Sequence, residues 1–234
     1  MNDFSTAFST ALTLLMSGDE DLMEIVGLSL RVSLFAVAIA TIIGMPLGAA
    51  TALYKFPGRK PLIVLLNALM GLPPVVVGLI VYLMLSRMGP LGVLGLLFTP
   101  TAMVIAQVIL ITPIIAALSR QVVEDMWHEY GEQLRSLGAS PLRCMATILW
   151  DGRYSLSTTV LAGFGRASAE VGAVMIVGGN IDHVTRVMTT AIALEVSKGD
   201  LALALGLGMI LMSLSLLING AAFVLNEATA EKSR

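Results

Sequence analysis

The stretch SRQVVEDMWHEYGEQLRSLGASPLRCMATILWDGRYSLS, residues 119–157, is a polar and charged island in a chain that is otherwise apolar. The 234 residues are 56% hydrophobic and 13% charged, with a mean hydropathy of +0.88; soluble domains carry about one-quarter charged residues. Working outward from the island, apolar runs occupy Leu28–Leu53, Leu62–Leu85, Leu91–Leu118, Ser155–Gly178 and Leu201–Leu225. Each is long enough to cross about 30 Å of hydrocarbon at about 1.5 Å per residue. Backbone polar groups in lipid must be paired internally, and the runs are too continuous for the alternating strands of a barrel. The expected fold is all-α, an integral membrane protein with about five transmembrane helices.

Basic residues orient the spans, because loops on the cytoplasmic side carry the Lys and Arg excess. With the N-terminus outside and the C-terminus in the cytoplasm, Lys55, Arg59, Lys60, Arg120, Arg135, Arg143, Arg153, Lys232 and Arg234 fall on the cytoplasmic side. Only Arg87, Arg186 and Lys198 fall outside. The island is therefore expected in the cytoplasm, as a loop over residues 119–154. No removable signal peptide is expected, since no basic segment and small-residue cleavage site frame the first apolar run.

Before that run, Phe4, Phe8, Leu12 and Leu15 lie on one helical face, so residues 1–18 are expected to form a short interfacial helix. Residues 19–234 are expected to form one membrane domain. The acids Asp19, Glu20, Asp21 and Glu24 suit the positive end of the first span's helix. Gly44 and Gly48, four apart, suit close helix packing. Cys144, the single cysteine, is read as a small buried apolar residue. The net charge of −2 and the lack of a basic stripe exclude nucleic acid as a partner. Phosphate-binding glycine loops, a credible Ser/His/Asp set and metal-ligand clusters are all missing from the sequence, so no catalytic residue, metal or cofactor is expected.

The island reads as two short helices. Met126, Tyr130, Leu134 and Leu137 make one apolar face at 4-4-3 spacing, and Gly138 stops that helix. Ser140 and Pro141 are an N-cap and first-turn pair for a second helix, with Leu142, Met145 and Leu149 as its stripe. A helix, a glycine turn and a helix form a rigid protrusion.

The run Glu132-Gln133-Leu134, three residues, Gly138, nine residues, Ile148 resembles the EAA loop of ABC importer permeases. Gln133 and Leu134 replace two alanines of that pattern, and Trp150-Asp151 replace its closing Leu-Pro. Two further stretches narrow the resemblance to the molybdate and tungstate permeases. One is Leu72-Pro73-Pro74-Val75-Val76-Val77-Gly78 with Gly89-Pro90-Leu91-Gly92; the other is Phe164-Gly165-Arg166-Ala167-Ser168-Ala169-Glu170-Val171-Gly172 with Gly179-Asn180-Ile181. The continuation Asp182-His183-Val184-Thr185-Arg186 departs from the usual Pro-Gly and is closer to the tungstate branch, leaving tungstate against molybdate open.

The resemblance implies a type I (MetI-like) permease core working as a homodimer, with a cytoplasmic ABC ATPase dimer and an extracytoplasmic substrate-binding protein. It implies that Glu132, Leu134, Leu137, Gly138, Ser140 and Pro141 couple the pore to the ATPase. Asn180, Asp182 and His183 then lie where the binding protein docks, although a lone histidine is ordinarily just a surface residue.

Independently of any family, Arg166 and Glu170 are costly inside a span, sit four residues apart and can pair. Pro73 and Pro74 remove backbone donors in mid-span and are expected to kink it beside the pathway. The rival reading, a transporter driven by an ion gradient, calls for carboxylates on several spans, and Glu170 is the only one well inside.

Overall fold

The computed structural model describes residues 8, 9, 12, 13 and 18–232, with the side chains of 225 and 227–232 left aside. Every regular element among the described residues is helical. The expected helix over residues 1–18 lies almost wholly outside the described residues; within it Phe8 and Leu12 are exposed and line an apolar groove with Met209, Met212 and Leu216.

Helix α1 runs Glu20–Leu53, eight residues earlier than the expected start at Leu28. The reason is a cap: the Asp19 carboxylate accepts the Leu22 N–H at 2.9 Å, and Glu20 and Asp21 occupy the first turn.

The expected span 62–85 is two helices, α2 (Arg59–Leu69) and α3 (Pro74–Leu85). Pro73-Pro74 breaks this helix rather than kinking it. Each ring removes a donor, and a residue before proline is pushed out of the α region, as Pro73 is at φ −65°, ψ 119°. Pro73 then serves as N-cap and Pro74 as the first residue of α3.

The third span starts at Pro100 instead of Leu91; residues 92–94 form one 3₁₀ turn. Helix α4, Pro100–Ser136, has 37 residues and so a length of about 55 Å. The expected separate first helix of the island is its continuation, because no proline or glycine turn breaks the backbone between Arg120 and Gly138. Helix α5 is Pro141–Asp151.

The fourth span is also divided, into α6 (Arg153–Ser168) and α7 (Gly172–Gly178). Helix α8, Met188–Lys198, forms inside what reads as a plain loop, capped where Thr190 Oγ1 accepts the Val187 N–H at 3.1 Å. Helix α9 runs Leu201–Lys232. Three of these helices are long and apolar enough to span a membrane, five spans if each divided pair counts as one.

The chain divides into two compact units. One comprises Met1–Ala36, Pro73–Gln107 and Gly165–Gly220, with a core of Leu22, Met188, Ala191, Leu207 and Ile210. The other comprises Val37–Leu72, Val108–Phe164 and Ala221–Arg234, with a core of Ala49, Ala52, Val123 and Ile148.

In the second unit, α1 lies directly on α4 through Gly48. A Cβ there would sit 2.4 Å from the Ala116 carbonyl oxygen and 2.9 Å from the Arg120 nitrogen, both backbone atoms that cannot step aside. Gly48→Val is therefore expected to force the helices apart and cost about 1–3 kcal/mol or more. Thermal unfolding in detergent reads this, with Gly208→Val, a site where a Cβ meets nothing within 4 Å, as the control. Equal melting of the two variants would refute the close approach.

Candidate functional site

The polar hairpin of the second unit is built on its turn. Gly138 has φ +69°, the left-handed conformation that costs other residues free energy. Around it Gly138 N–H donates to Arg135 O (3.0 Å) and Ala139 N–H to Leu134 O (3.1 Å), a Schellman closure that satisfies the last carbonyls of α4. Ser140 Oγ accepts the Arg143 N–H at 3.5 Å and Pro141 opens α5.

The inward face of the hairpin differs from the expected stripe. Val123, Met126, Trp127 and Leu134 pack with Met145, Ile148 and Leu149 of α5 and with Ala49 and Ala52 of α1. Tyr130 and Leu137 turn outward, as does Leu142, and with Trp150 they leave exposed apolar surface on the hairpin: Leu137 is 81% exposed, Leu142 68% and Trp150 69%. The true stripe, 123-127-131-134, has the same 4-4-3 spacing, but its third member is Gly131, whose absent side chain gives room to the Trp127 ring. Cys144 is buried, as expected.

Glu132 is exposed and lines a cleft of about 340 Å³ with Lys55, Arg59, Trp127, His128 and Arg135. Arg59 caps the C-terminus of α1, its Nε donating to Thr51 O at 2.6 Å and its Nη2 to Ala52 O at 3.3 Å. Arg59 also meets Glu124 at 3.5 Å, and Glu124 pairs with Arg120 on the same helix. Arg135 stacks over Trp127 at 4.9 Å. Of this framework only the Arg120–Glu124 spacing of four was a signal in the sequence; Arg59 reaches Glu124 across 65 residues.

In the first unit, Arg166 and Glu170 do pair, Nη1 to Oε2 at 2.7 Å. Glu170 is 3% exposed, and its other oxygen accepts the Ala173 N–H at 3.0 Å, so one carboxylate both neutralises Arg166 and caps α7. Its backbone carbonyl accepts Thr189 Oγ1–H at 2.8 Å. Gln107, missed by the sequence reading, donates from Nε2 to Ala167 O at 3.2 Å. Side chains thus satisfy the backbone that the helix break frees, which is the condition for irregular backbone at membrane depth.

The two proline- and glutamate-marked breaks come together. The missing Cβ of Gly172 would lie 2.8 Å from a Val75 methyl and 3.5 Å from the Val75 nitrogen, so α3 and α7 begin side by side, with Pro73, Pro74 and Glu170 at their starts.

Beyond α7, Gly179, Asn180 and His183 all have positive φ, at 75°, 50° and 54°. Buried Thr185 anchors the turn, donating to Gly178 O at 2.6 Å and accepting the Ile181 N–H at 2.9 Å. Asp182 pairs with Arg186. His183 is on the surface, as the sequence predicts, and it has a partner there. Its Nδ1 lies 2.8 Å from Glu24 Oε2, and Asp21 converges on the same pair. The sequence held no sign of this contact, since 159 residues separate the partners.

Residues 44–230 match the family described as binding-protein-dependent transport system inner membrane component. The chain is 40% identical over 227 residues, 97% of its length and all of the relative's, to the "Tungstate uptake system permease protein TupB" of Peptoclostridium acidaminophilum. It is 37% identical to the protein of the same description from Campylobacter jejuni, over 91% of this chain and 89% of the relative. Identity to a "Sulfate transport system permease protein CysW" of Synechocystis is 27%, over 85% of this chain and 74% of the relative.

Proposed function

This chain belongs to the family of binding-protein-dependent transport system inner membrane components, and on that premise we propose that it conducts tungstate through the membrane as a homodimer. Its class is a multi-pass ABC importer permease: a pore-forming subunit whose partners are an ATPase and a substrate-binding protein. The observation that carries the anion is the 40% identity along the full length of a tungstate uptake permease, against 27% for a sulfate permease.

The N-terminus lies outside and the C-terminus in the cytoplasm, in keeping with the basic residues. The 119–154 hairpin then meets the ATPase. Leu137 and Leu142 are its apolar contacts, Glu132 and the basic cleft beside it take charged groups of the partner, and the Gly138–Pro141 corner keeps the protrusion stiff. Closure of the ATPase pair on ATP pushes this hairpin, which shares one continuous helix with the third span. In the first unit the paired breaks at Pro73-Pro74 and Arg166–Glu170 border the pathway. Arg166, already neutralised by Glu170, does not hold the anion tightly, so release toward the cytoplasm is not slowed. The turn carrying Asn180, Asp182 and His183 receives the binding protein.

Uptake of labelled tungstate into vesicles holding the permease with its ATPase and binding protein tests the reading. ATP-dependent uptake is expected that resists an excess of sulfate. Competition by sulfate as effective as by unlabelled tungstate would refute the anion assignment, and strong competition by molybdate would extend it to both metals.

A further inference from the structure

The Glu24–His183 contact joins the outer side of the 181–186 turn to α1, above the point where Ser29 Oγ accepts the Met188 N–H at 2.8 Å. The turn at 181–186 is fixed on its inner side: Val184, Thr185 and Arg186 N–H groups all donate to Ile181 O, and Thr185 is fully buried. Its outer side carries Asp182, His183 and Val184, all exposed. Among the described residues, Glu24 with His183 is the ion pair between this turn and α1.

Four charged groups surround His183: Asp21 and Glu24 from α1, and Asp182 and Arg186 from its own turn. Three are acidic, and the one cation, Arg186, is committed to Asp182. We propose that Glu24 and His183 form a proton-operated clasp, which fastens the 181–186 turn to the N-terminal end of α1 when His183 is protonated and loosens when it is neutral.

A bond between an imidazolium and a carboxylate is charge-assisted and about twice as strong as a neutral one. Both side chains are open to water, 61% and 47% exposed, so protons reach them freely. The hydrogen bond to Glu24 raises the histidine's pKa above its ordinary 6.5, helped by the charges of Asp182, Glu24 and Asp21. A group whose affinity for protons is raised by folding stabilises the folded contact below its unfolded value and loses that contribution as pH rises through the folded one. The clasp is therefore fully fastened below 6.5 and releases as the pH climbs through the raised value. The proposal rests on the docking reading only for its consequence, a docking turn whose freedom follows the external pH.

The chain has two histidines, so His128→Gln leaves His183 as the only imidazole signal in the full-length protein in nanodiscs. Its NMR titration midpoint is expected above 6.5 and, with Glu24→Gln added, to fall back toward 6.5. Amide exchange of residues 179–187, corrected for its intrinsic pH dependence, is expected to run several-fold faster above the midpoint than below it. Glu24→Gln and His183→Gln should each abolish that difference while melting like the parent. An unchanged midpoint in Glu24→Gln, or exchange that ignores pH, overturns the clasp. Neither arm needs the binding protein. Binding-protein affinity measured across the same pH range is a separate arm, whose failure would fall on the docking reading alone.

Discussion

Glu170→Leu is expected to be strongly destabilising, by about 4 kcal/mol in all. The substitution leaves Arg166 without its partner, at a distance of 2.7 Å in the parent, and strips the Ala173 N–H of its cap. Removing one member of a buried pair costs about 3–5 kcal/mol. Because Arg166 is 32% exposed and can draw on water, the lower end of that range applies. A lost cap adds about 1 kcal/mol, against native stabilities of about 5–15 kcal/mol in all.

The double variant Arg166→Leu/Glu170→Leu is expected to melt above the single Glu170→Leu, since no charge is stranded and only the cap is lost. Glu170→Gln, which keeps a cap acceptor, should fall between the parent and Glu170→Leu. Detergent-solubilised yield and thermal unfolding measure all three. A Glu170→Leu protein that melts with the parent, or a double variant as poor as the summed singles, would show that the pair does not hold this break.

Gly138→Asp is expected to separate folding from transport. The site has φ +69° and a Cβ there meets nothing within 4 Å, so the cost is conformational alone, about 1 kcal/mol for a residue type that tolerates left-handed backbone. Insertion and yield should stay near the parent. The new side chain nevertheless projects a charge from the corner between α4 and α5, beside the exposed Leu137. Uptake is expected to fall at least about tenfold, equivalent to about 1.4 kcal/mol of coupling, with ATP hydrolysis by the assembled complex persisting. Gly138→Ala carries the strain without the charge and should transport nearly as the parent does. Parent-level uptake by Gly138→Asp would remove the hairpin corner from the coupling route.

Much of the architecture was legible because membrane helices advertise themselves locally. Long apolar runs, the Ser140-Pro141 start and the Arg166–Glu170 spacing are short-range signals, and each produces a local feature; the spacing of Gly44 and Gly48 marks a packing face, but its partner, α4, is distant in the chain. Helix ends were less legible. The first helix starts early because of Asp19, and the α4 helix runs on to Ser136 because a helix continues until something stops it. The Pro73-Pro74 pair predicts a kink and gives a break instead, because tolerance of proline in a span depends on what packs against it. Here the start of α7 fills that place through Gly172.

Hydropathy, helix caps and i,i+4 pairs are set by residues within one or two turns of each other, so an all-helical membrane protein with a capped polar hairpin was already written in the sequence. Tertiary structure alone decided which face of the hairpin is inward, that Gln107 serves the Ala167 carbonyl, that Arg59 reaches Glu124 and that His183 meets Glu24. Those choices bring together residues 60, 65 and 159 positions apart, whose contacts exist only after the helices have packed.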